Sequence, residues 1–302
     1  MRLRRSELTT PGSSTKMMEK AASSDADEVM LDLEDAVAPA EKKEARGKIV
    51  EAIHDLDWGE KVIAVRINDL DTRYAYGDLV EVVSGAGEEI DVIIVPKIQV
   101  AADVYMVDKL LGQIEADEGI ESPIGIEVLI EETEALQHVD EIAASSDRLE
   151  SLIFGPGDYS ASQGVNLDSI GSGDEGLYPG DVWHYVRNRI VVAARSNGLD
   201  AIDGPFGDFS DPEGYREECV RSNTLGFVGK WAIHPSQIEI ANDVYAPTEG
   251  QVAYAQRVVN AMERGVEEGL GAVQVDGEMI DEASVRSARR RLERARQVGM
   301  VD

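Results

Sequence analysis

A chain of 302 residues with 59 acidic and 29 basic side chains carries a net charge of −30, a field that repels nucleic acid and anionic membranes. Hydrophobic residues make up 43% of it, which argues against disorder, and no apolar run approaches the roughly 20 residues that span a bilayer. The length matches a single α/β barrel with a tail. The N-terminal stretch "MRLRRSELTTPGSS" has the arginines of a secretory leader, but no apolar stretch of about 7 to 15 residues follows; a soluble, cytoplasmic protein is expected. Cys219 is the only cysteine, so there is no internal disulfide and a Cys-based zinc site is implausible. The acids are dispersed, as on a surface adapted to the high salt of extreme halophiles.

Short apolar runs alternate with longer amphipathic stretches, the sequence form of βα repeats around a parallel sheet. Strands are expected at 5–9, 28–33, 61–67 ("KVIAVRI"), 91–96 ("DVIIVP"), 123–129 ("PIGIEVL"), 149–154 ("LESLIF"), 199–202 ("LDAI") and 226–232 ("GFVGKWA"). Three- and four-residue apolar spacing predicts helices that include 40–56, 101–118, 131–145 and 181–197. Eight such units argue for a closed (β/α)₈ TIM barrel over residues 1–240, with a C-terminal extension over 241–302. In that extension a helix near 248–269, a short strand pair around "AVQVDGEMI" and a final helix at 281–298 are expected. The stretch "GSGDEG" at 171–176 reads as a mobile loop.

In such a barrel the C-terminal strand ends converge on one mouth, where catalysis occurs. The polar residues assigned there are Asp32, Glu34 and Asp35, Arg66 and Asn68, Lys97, Glu127, Asp158, Asp203 and His234. Glu127 and Asp158, as carboxylates on neighbouring strand ends, could hold one Mg²⁺ while leaving positions for water and substrate; alternatively either acid caps the following helix. Arg66 in "AVRIN", aimed into the barrel, needs an anion, either Glu34 or Asp35 or a substrate. Lys97 is expected to pair with an inner acid, and His234 to start a helix or touch substrate. The six arginines between 286 and 296 read as a solvated helix face rather than a phosphate site.

The segments "TPGSSTKMMEKAA", "DEVMLDLEDAVAPAEKKEAR", "VRIN", "IVPKI", "IEVLIE", "IFGPGDYSAS", "AIDGPFGDFSDPEGY" and "GFVGKWAIHPSQI" occur in order from about residue 5. Together they resemble the citrate lyase β-subunit-like (HpcH/HpaI aldolase/citrate lyase) family, and within it the malyl-CoA lyases. The resemblance implies a Mg²⁺-dependent TIM barrel, with Mn²⁺ as a substitute ion, that makes or breaks a carbon–carbon bond between a 2-oxo acid such as glyoxylate and an acyl-CoA. By this likeness Glu127 and Asp158 match the metal ligands, Arg66 the arginine that holds the oxo acid, and Lys20 a CoA-binding lysine. Gly157, Asp158, Ile233 and His234 match substrate-contacting positions. Where malyl-CoA lyases can have an aromatic residue and an arginine around "GPG", this chain has Thr9 and Ser14, with Lys16 as a candidate replacement charge.

Asp281 in "GEMIDEAS" matches a catalytic aspartate that the family delivers from a tail to the active site of an adjacent subunit, which implies a lid and a homotrimer or homohexamer. From the sequence alone Asp281 is also an N-cap. Glu34 and Asp35 are then read as groups that orient metal-bound water and Arg66. The expected activity is cleavage of malyl-CoA or β-methylmalyl-CoA to glyoxylate and acetyl-CoA or propionyl-CoA; the alternatives are citramalyl-CoA cleavage, a thioester-hydrolysing malate synthase, a CoA-independent class II aldolase and a non-catalytic binding barrel.

Overall fold

The computed structural model describes residues 2–165 and 181–301, so the "GSGDEG" stretch lies outside the described residues. Two compact units form, Met1–Asn242 and Asp243–Asp302. In the first, eight strands run in chain order: β1 (Ser6–Pro11), β2 (Glu28–Asp32), β3 (Val62–Arg66), β4 (Val92–Val95), β5 (Gly125–Ile130), β6 (Leu149–Phe154), β7 (Asp200–Asp203) and β8 (Gly229–Ala232). Each pairs in parallel with its neighbour, and β8 pairs with β1, so the sheet closes into a TIM barrel. The helices of this unit are α1 (Thr15–Ala22), α2 (Lys42–Asp55), α3 (Ala75–Ala86), α4 (Ala101–Glu118), α5 (Thr133–Gln137), α6 (Val139–Ala143), α7 (Pro156–Gln163), α8 (His184–Ser196) and α9 (Pro212–Leu225). Helix α10 (Ile238–Tyr245) straddles the division between the units. No described helix is long and apolar enough to cross a membrane.

Two expectations shift for local reasons. The helix anticipated over 131–145 is two short ones, separated at His138, whose φ of −101° and ψ of 12° interrupt the helical path. Strand β8 starts at Gly229 rather than at 226, because Gly226 adopts a left-handed φ of 114° to cap α9 and the chain turns before pairing resumes.

Period-two alternation places one set of residues on the inner wall. Its middle layer is apolar: Met30, Ala64, Ile94, Leu129, Ile153, Ile202 and Trp231 all belong to one buried cluster. One step of two residues toward the C-terminal ends stand Asp32, Arg66 and Glu131; one step the other way stand Glu28, Glu127, Ser151 and Asp200. The barrel interior therefore has a charged mouth and a charged floor separated by an apolar plug.

The second unit holds α11 (Glu249–Glu267), α12 (Glu282–Gln297) and an antiparallel hairpin of β9 (Val273–Val275) and β10 (Glu278–Ile280). Asp276 and Gly277 turn this hairpin with φ of 51° and 88°, the paired positive angles of a two-residue loop that favours Asp-Gly. Val285, Ala288, Leu292 and Ala295 pack α12 into the unit's core with Val252, Val258, Val259 and Met262 of α11. That stripe leaves the arginines of 286–296 on the remaining faces, exposed or half-buried.

Candidate active site

The segment "LDLED" forms a turn built to receive cations. Asp32, buried at the end of β2, accepts hydrogen bonds from the backbone N–H groups of Glu34 (2.8 Å) and Ala36 (2.9 Å). Its two oxygens also accept from Nε and Nη2 of Arg66, both at 2.7 Å, a fork that fixes the guanidinium plane. Burial alone would raise the Asp32 pKa, but the adjoining guanidinium wins and holds it below the ordinary carboxylate range. Nη1 of Arg66 lies 3.0 Å from Glu34 Oε2, and the guanidinium stacks over Trp231 at 5.4 Å. Only two of its five N–H groups are committed to Asp32, so the positive edge keeps donors for a substrate anion.

Lys97 completes the same constellation. Its backbone has a φ of 50°, unfavourable for a residue with a side chain. In that conformation its N–H donates to Glu131 Oε1 at 2.8 Å and its Nζ donates to Glu34 Oε1 at 2.5 Å. Asp35, more exposed, lies 3.7 Å from the same ammonium. Beneath the turn, Lys42 donates to the carbonyls of Leu33 (2.9 Å) and Glu34 (2.7 Å) and to Asn68. The three acids of this turn are thus compensated by Arg66 and Lys97 and by backbone donors.

The metal-ligand expectation is where structure and sequence reading part. Glu127 is not at the mouth: it is fully buried at the floor, 2.5 Å from Nε of Arg4, with Glu28, Glu150 and Asp200 close enough to interact with it. Glu131, four residues further on and just past the end of β5, faces the same inner wall at the opposite end, about 13 Å away at strand rise. Its surroundings are those expected of Glu127: Arg66, Glu34, the Lys97 amide and Asp158. The face was assigned correctly and the axial position was not. "IEVLIE" contains both glutamates, and the signal that separates them is that Glu131 directly follows β5, at the level where Asp32 and Arg66 close their strands.

Burial, reinforced by the negative charge of Asp158, pushes the Glu131 carboxyl up to about 8. Gly155 makes this possible, since a Cβ there would meet Glu131 Cβ at 2.5 Å and Oε2 at 2.6 Å. Asp158 lies in the first turn of α7, half-buried, after Gly155, Pro156 and Gly157 have turned the chain out of β6. Two adjacent carboxylates, all-oxygen and mutually repelling, suit a hard divalent cation such as Mg²⁺.

The remaining expected residues are distributed differently. Asp203 points outward from β7, not into the mouth. Arg187 at 3.0 Å and Lys230 at 2.8 Å hold it between barrel and helices, and despite complete burial they lower its pKa to about 2. His234 caps a single 3₁₀ turn: its Nδ1 accepts from the Ser236 N–H at 3.2 Å, and its ring stacks on Phe209 at 4.9 Å. Ile233 follows β8, and its N–H donates to Gln237. Lys20 is exposed in the last turn of α1, and Lys16 is exposed in its first. Asp281, in the second unit, caps α12 by accepting from the N–H (3.0 Å) and Oγ (3.1 Å) of Ser284; these bonds lower its pKa.

A profile of the HpcH/HpaI aldolase/citrate lyase family matches residues 5–235. The chain belongs to this family. It is 47% identical over 295 residues to an L-malyl-CoA/β-methylmalyl-CoA lyase of Rhodobacter capsulatus, covering 95% of this chain and 93% of that protein. A malyl-CoA/β-methylmalyl-CoA/citramalyl-CoA lyase of Chloroflexus aurantiacus is 33% identical, with 89% and 81% covered. Among solved structures, CitE from Mycobacterium tuberculosis in complex with magnesium, acetoacetate and coenzyme A superposes with a TM-score of 0.75 at 30% identity, covering 97% of this chain and 98% of that one.

Proposed function

We propose that the protein is a Mg²⁺-dependent carbon–carbon lyase that cleaves malyl-CoA and β-methylmalyl-CoA to glyoxylate and acetyl-CoA or propionyl-CoA, and runs the reverse Claisen-type condensation. The observation that carries this reading is the placement of Glu131 and Asp158 beside Arg66 at the C-terminal mouth, in a chain 47% identical to an enzyme of that name. Glu131 and Asp158 would hold the ion, replacing the expected Glu127. When bound, Mg²⁺ supplies positive charge that acidifies the substrate hydroxyl and favours collapse to an aldehyde.

The chain's own groups do the rest. Arg66, oriented by Asp32 and Glu34, binds the oxo-acid carboxylate and offsets negative charge as the bond between the hydroxyl-bearing carbon and the thioester's α-carbon breaks. The departing acyl-CoA carries that electron pair as an enolate. The proton lost from the substrate hydroxyl passes by way of solvent to Asp281 of an adjacent subunit, which delivers it to the enolate carbon; in condensation both transfers run in reverse. Glu34 and Asp35 keep Lys97 and Arg66 in position. Lys20 meets the CoA phosphates, and Gly157, Ile233 and His234 line the substrate. The assembly is a homotrimer or homohexamer, since Asp281 acts in trans, and the enzyme works in the cytoplasm.

The test offers malyl-CoA, β-methylmalyl-CoA and citramalyl-CoA separately with Mg²⁺ or Mn²⁺, following glyoxylate, pyruvate and free CoA. Glyoxylate release that needs the ion and collapses in Glu131→Gln is the expected result. Pyruvate as the main product would reassign the substrate to citramalyl-CoA, and rapid free CoA would indicate a hydrolysing synthase. Folded protein with no turnover would overturn the reading.

A further inference from the structure

The floor of the barrel carries charges that the reaction at the mouth does not use. Glu7 and Glu28 are register partners on β1 and β2, and Glu127 reaches them from β5; one oxygen of each lies within 4.8 Å of the others. All three residues are completely buried. One guanidinium serves them: Arg4 Nε is 2.5 Å from Glu127 and 3.2 Å from Glu28, while its far side turns to Glu150 and Asp200. Three carboxyls around one arginine cannot all ionise without leaving uncompensated charge in a sealed space, and burial with mutual repulsion raises the pKa of each, so without a further cation protons must be held there.

Hydrogen bonds do not relieve it. Arg4, Trp231 and Ser151 lie against these carboxyls, but no oxygen of Glu7, Glu28 or Glu127 receives a well-aligned hydrogen bond among the described residues. This contrasts with Asp32 at the mouth, whose oxygens accept four hydrogen bonds. A second observation points the same way. Ser151, register neighbour of Glu127 on β6, turns a fully buried hydroxyl toward that carboxylate, close enough to act on it but without the alignment of a good hydrogen bond. A buried neutral hydroxyl beside three carboxyls whose donors are poorly aligned is an arrangement that one cation completes.

We propose that the barrel floor is a second metal site, in which Glu7, Glu28 and Glu127, with Ser151 Oγ, hold a hard divalent cation of the calcium class. The donor set is all oxygen, which selects Ca²⁺ or Mg²⁺ over zinc, copper or iron. Oxygen pairs up to 4.8 Å apart suit the larger ion, because ligands about 2.3–2.6 Å from a centre can stand roughly twice that distance apart, whereas Mg²⁺ draws its ligands to about 2.0–2.1 Å. The ion neutralises the residual charge and ties β1, β2, β5 and β6 together. The apolar layer of Met30, Ala64, Ile94, Leu129, Ile153 and Trp231 separates it from the mouth. Its role is structural.

The experiment uses the full chain carrying Asp158→Asn, which weakens the mouth site, in high KCl to screen the acidic surface. After stripping with chelator, Ca²⁺ and Mg²⁺ are titrated by calorimetry, with bound metal counted and the unfolding temperature recorded. The expected result is one tightly bound Ca²⁺ per chain that raises the unfolding temperature by several degrees and binds more tightly than Mg²⁺. Adding Glu7→Gln should abolish both signals, and Ser151→Ala should weaken the binding about tenfold. Because the readout is the ion-dependent shift within each variant, a change in baseline stability does not obscure it. No bound ion in the Asp158→Asn protein, or a Ca²⁺ effect that persists unchanged with Glu7→Gln, would overturn the proposal and leave shared protons among the carboxylates as the account of the floor.

Discussion

The mouth and the floor of this barrel are built from the same materials, an arginine surrounded by carboxylates on the inner wall, yet they are satisfied in different ways. At the mouth, Asp32 forks onto Arg66 and collects two backbone N–H groups, and Glu34 meets both Arg66 and Lys97. At the floor, Arg4 faces Glu127 and Glu28, and no carboxylate oxygen of Glu7, Glu28 or Glu127 receives a well-aligned hydrogen bond among the described residues. Strand ends explain the difference. The loops after β2 and β4 supply turns whose amides point at the acids, while the floor residues sit inside regular strands whose amides are already in the sheet. A charged site that has to bind and release substrate belongs where the backbone has donors to spare.

The sharpest way to break this comparison is to neutralise one glutamate at each end of the barrel, Glu131 just after β5 and Glu127 within it. Glu131→Gln should lower turnover by about 10²–10³-fold and raise the Mg²⁺ concentration needed for half-maximal activity. Glu127→Gln should leave that Mg²⁺ requirement where it is and act on thermal unfolding instead. Steady-state assays over a Mg²⁺ series decide between them, and equal shifts in Mg²⁺ requirement would mean that the two ends are not separate sites.

Next in size is the floor arginine. Arg4→Met removes the one guanidinium facing Glu28 and Glu127, and should destabilise the barrel by about 3–5 kcal/mol in urea unfolding, as expected when a buried ion pair loses one partner. A loss below about 1 kcal/mol would show that the acids were already neutral without it.

A smaller effect is expected outside the wall, where Asp203 joins Arg187 and Lys230. Its pKa in the folded chain is lowered to about 2 from 3.8, so its contribution, on the order of 2 kcal/mol, is complete above about pH 4 and is lost as pH falls through about 2. The stability gap between the native chain and Asp203→Asn should therefore narrow between pH 4 and pH 2. A gap that stays constant over that range would remove the ion pair as its cause.

What could be read from the sequence follows from the range of the forces involved. Strand periodicity and βα rhythm are local, and they mark all eight strands in order, with β6 at its observed limits of Leu149–Phe154. Which face of a strand looks inward is also local, and Glu127 and Glu131 share one. Where along the barrel axis a residue ends up depends on the register with neighbouring strands, and that placed Glu127 at the wrong end. Asp203 is the converse error, a strand-end acid whose face was misjudged. Its partners Arg187 and Lys230 come from 16 and 27 residues away. The arginines of "MRLRR" looked like a leader's charge, whereas Arg2, Arg4 and Arg5 anchor to Asp91, to Glu127 and to Asp27. Nothing local announces partners that distant.

The smallest stability effect tests whether Asp281 does more than its local geometry requires. As the N-cap of α12 it accepts from Ser284, a role Asn fills about as well as Asp and Ala does not. Asp281→Ala should cost about 1 kcal/mol in unfolding of the Asp243–Asp302 unit, and Asp281→Asn close to nothing. If the carboxylate is only a cap, Asn should also keep full turnover. If it carries the enolate proton, Asn should keep the fold and lose turnover by orders of magnitude, since an amide cannot exchange that proton. Mixing Asp281→Asn chains with Glu131→Gln chains then separates action in cis from action in trans. Recovered activity in the mixed oligomer requires that an intact mouth on one chain be served by an intact Asp281 from another, while two inactive variants that stay inactive when mixed would confine the residue to its own subunit.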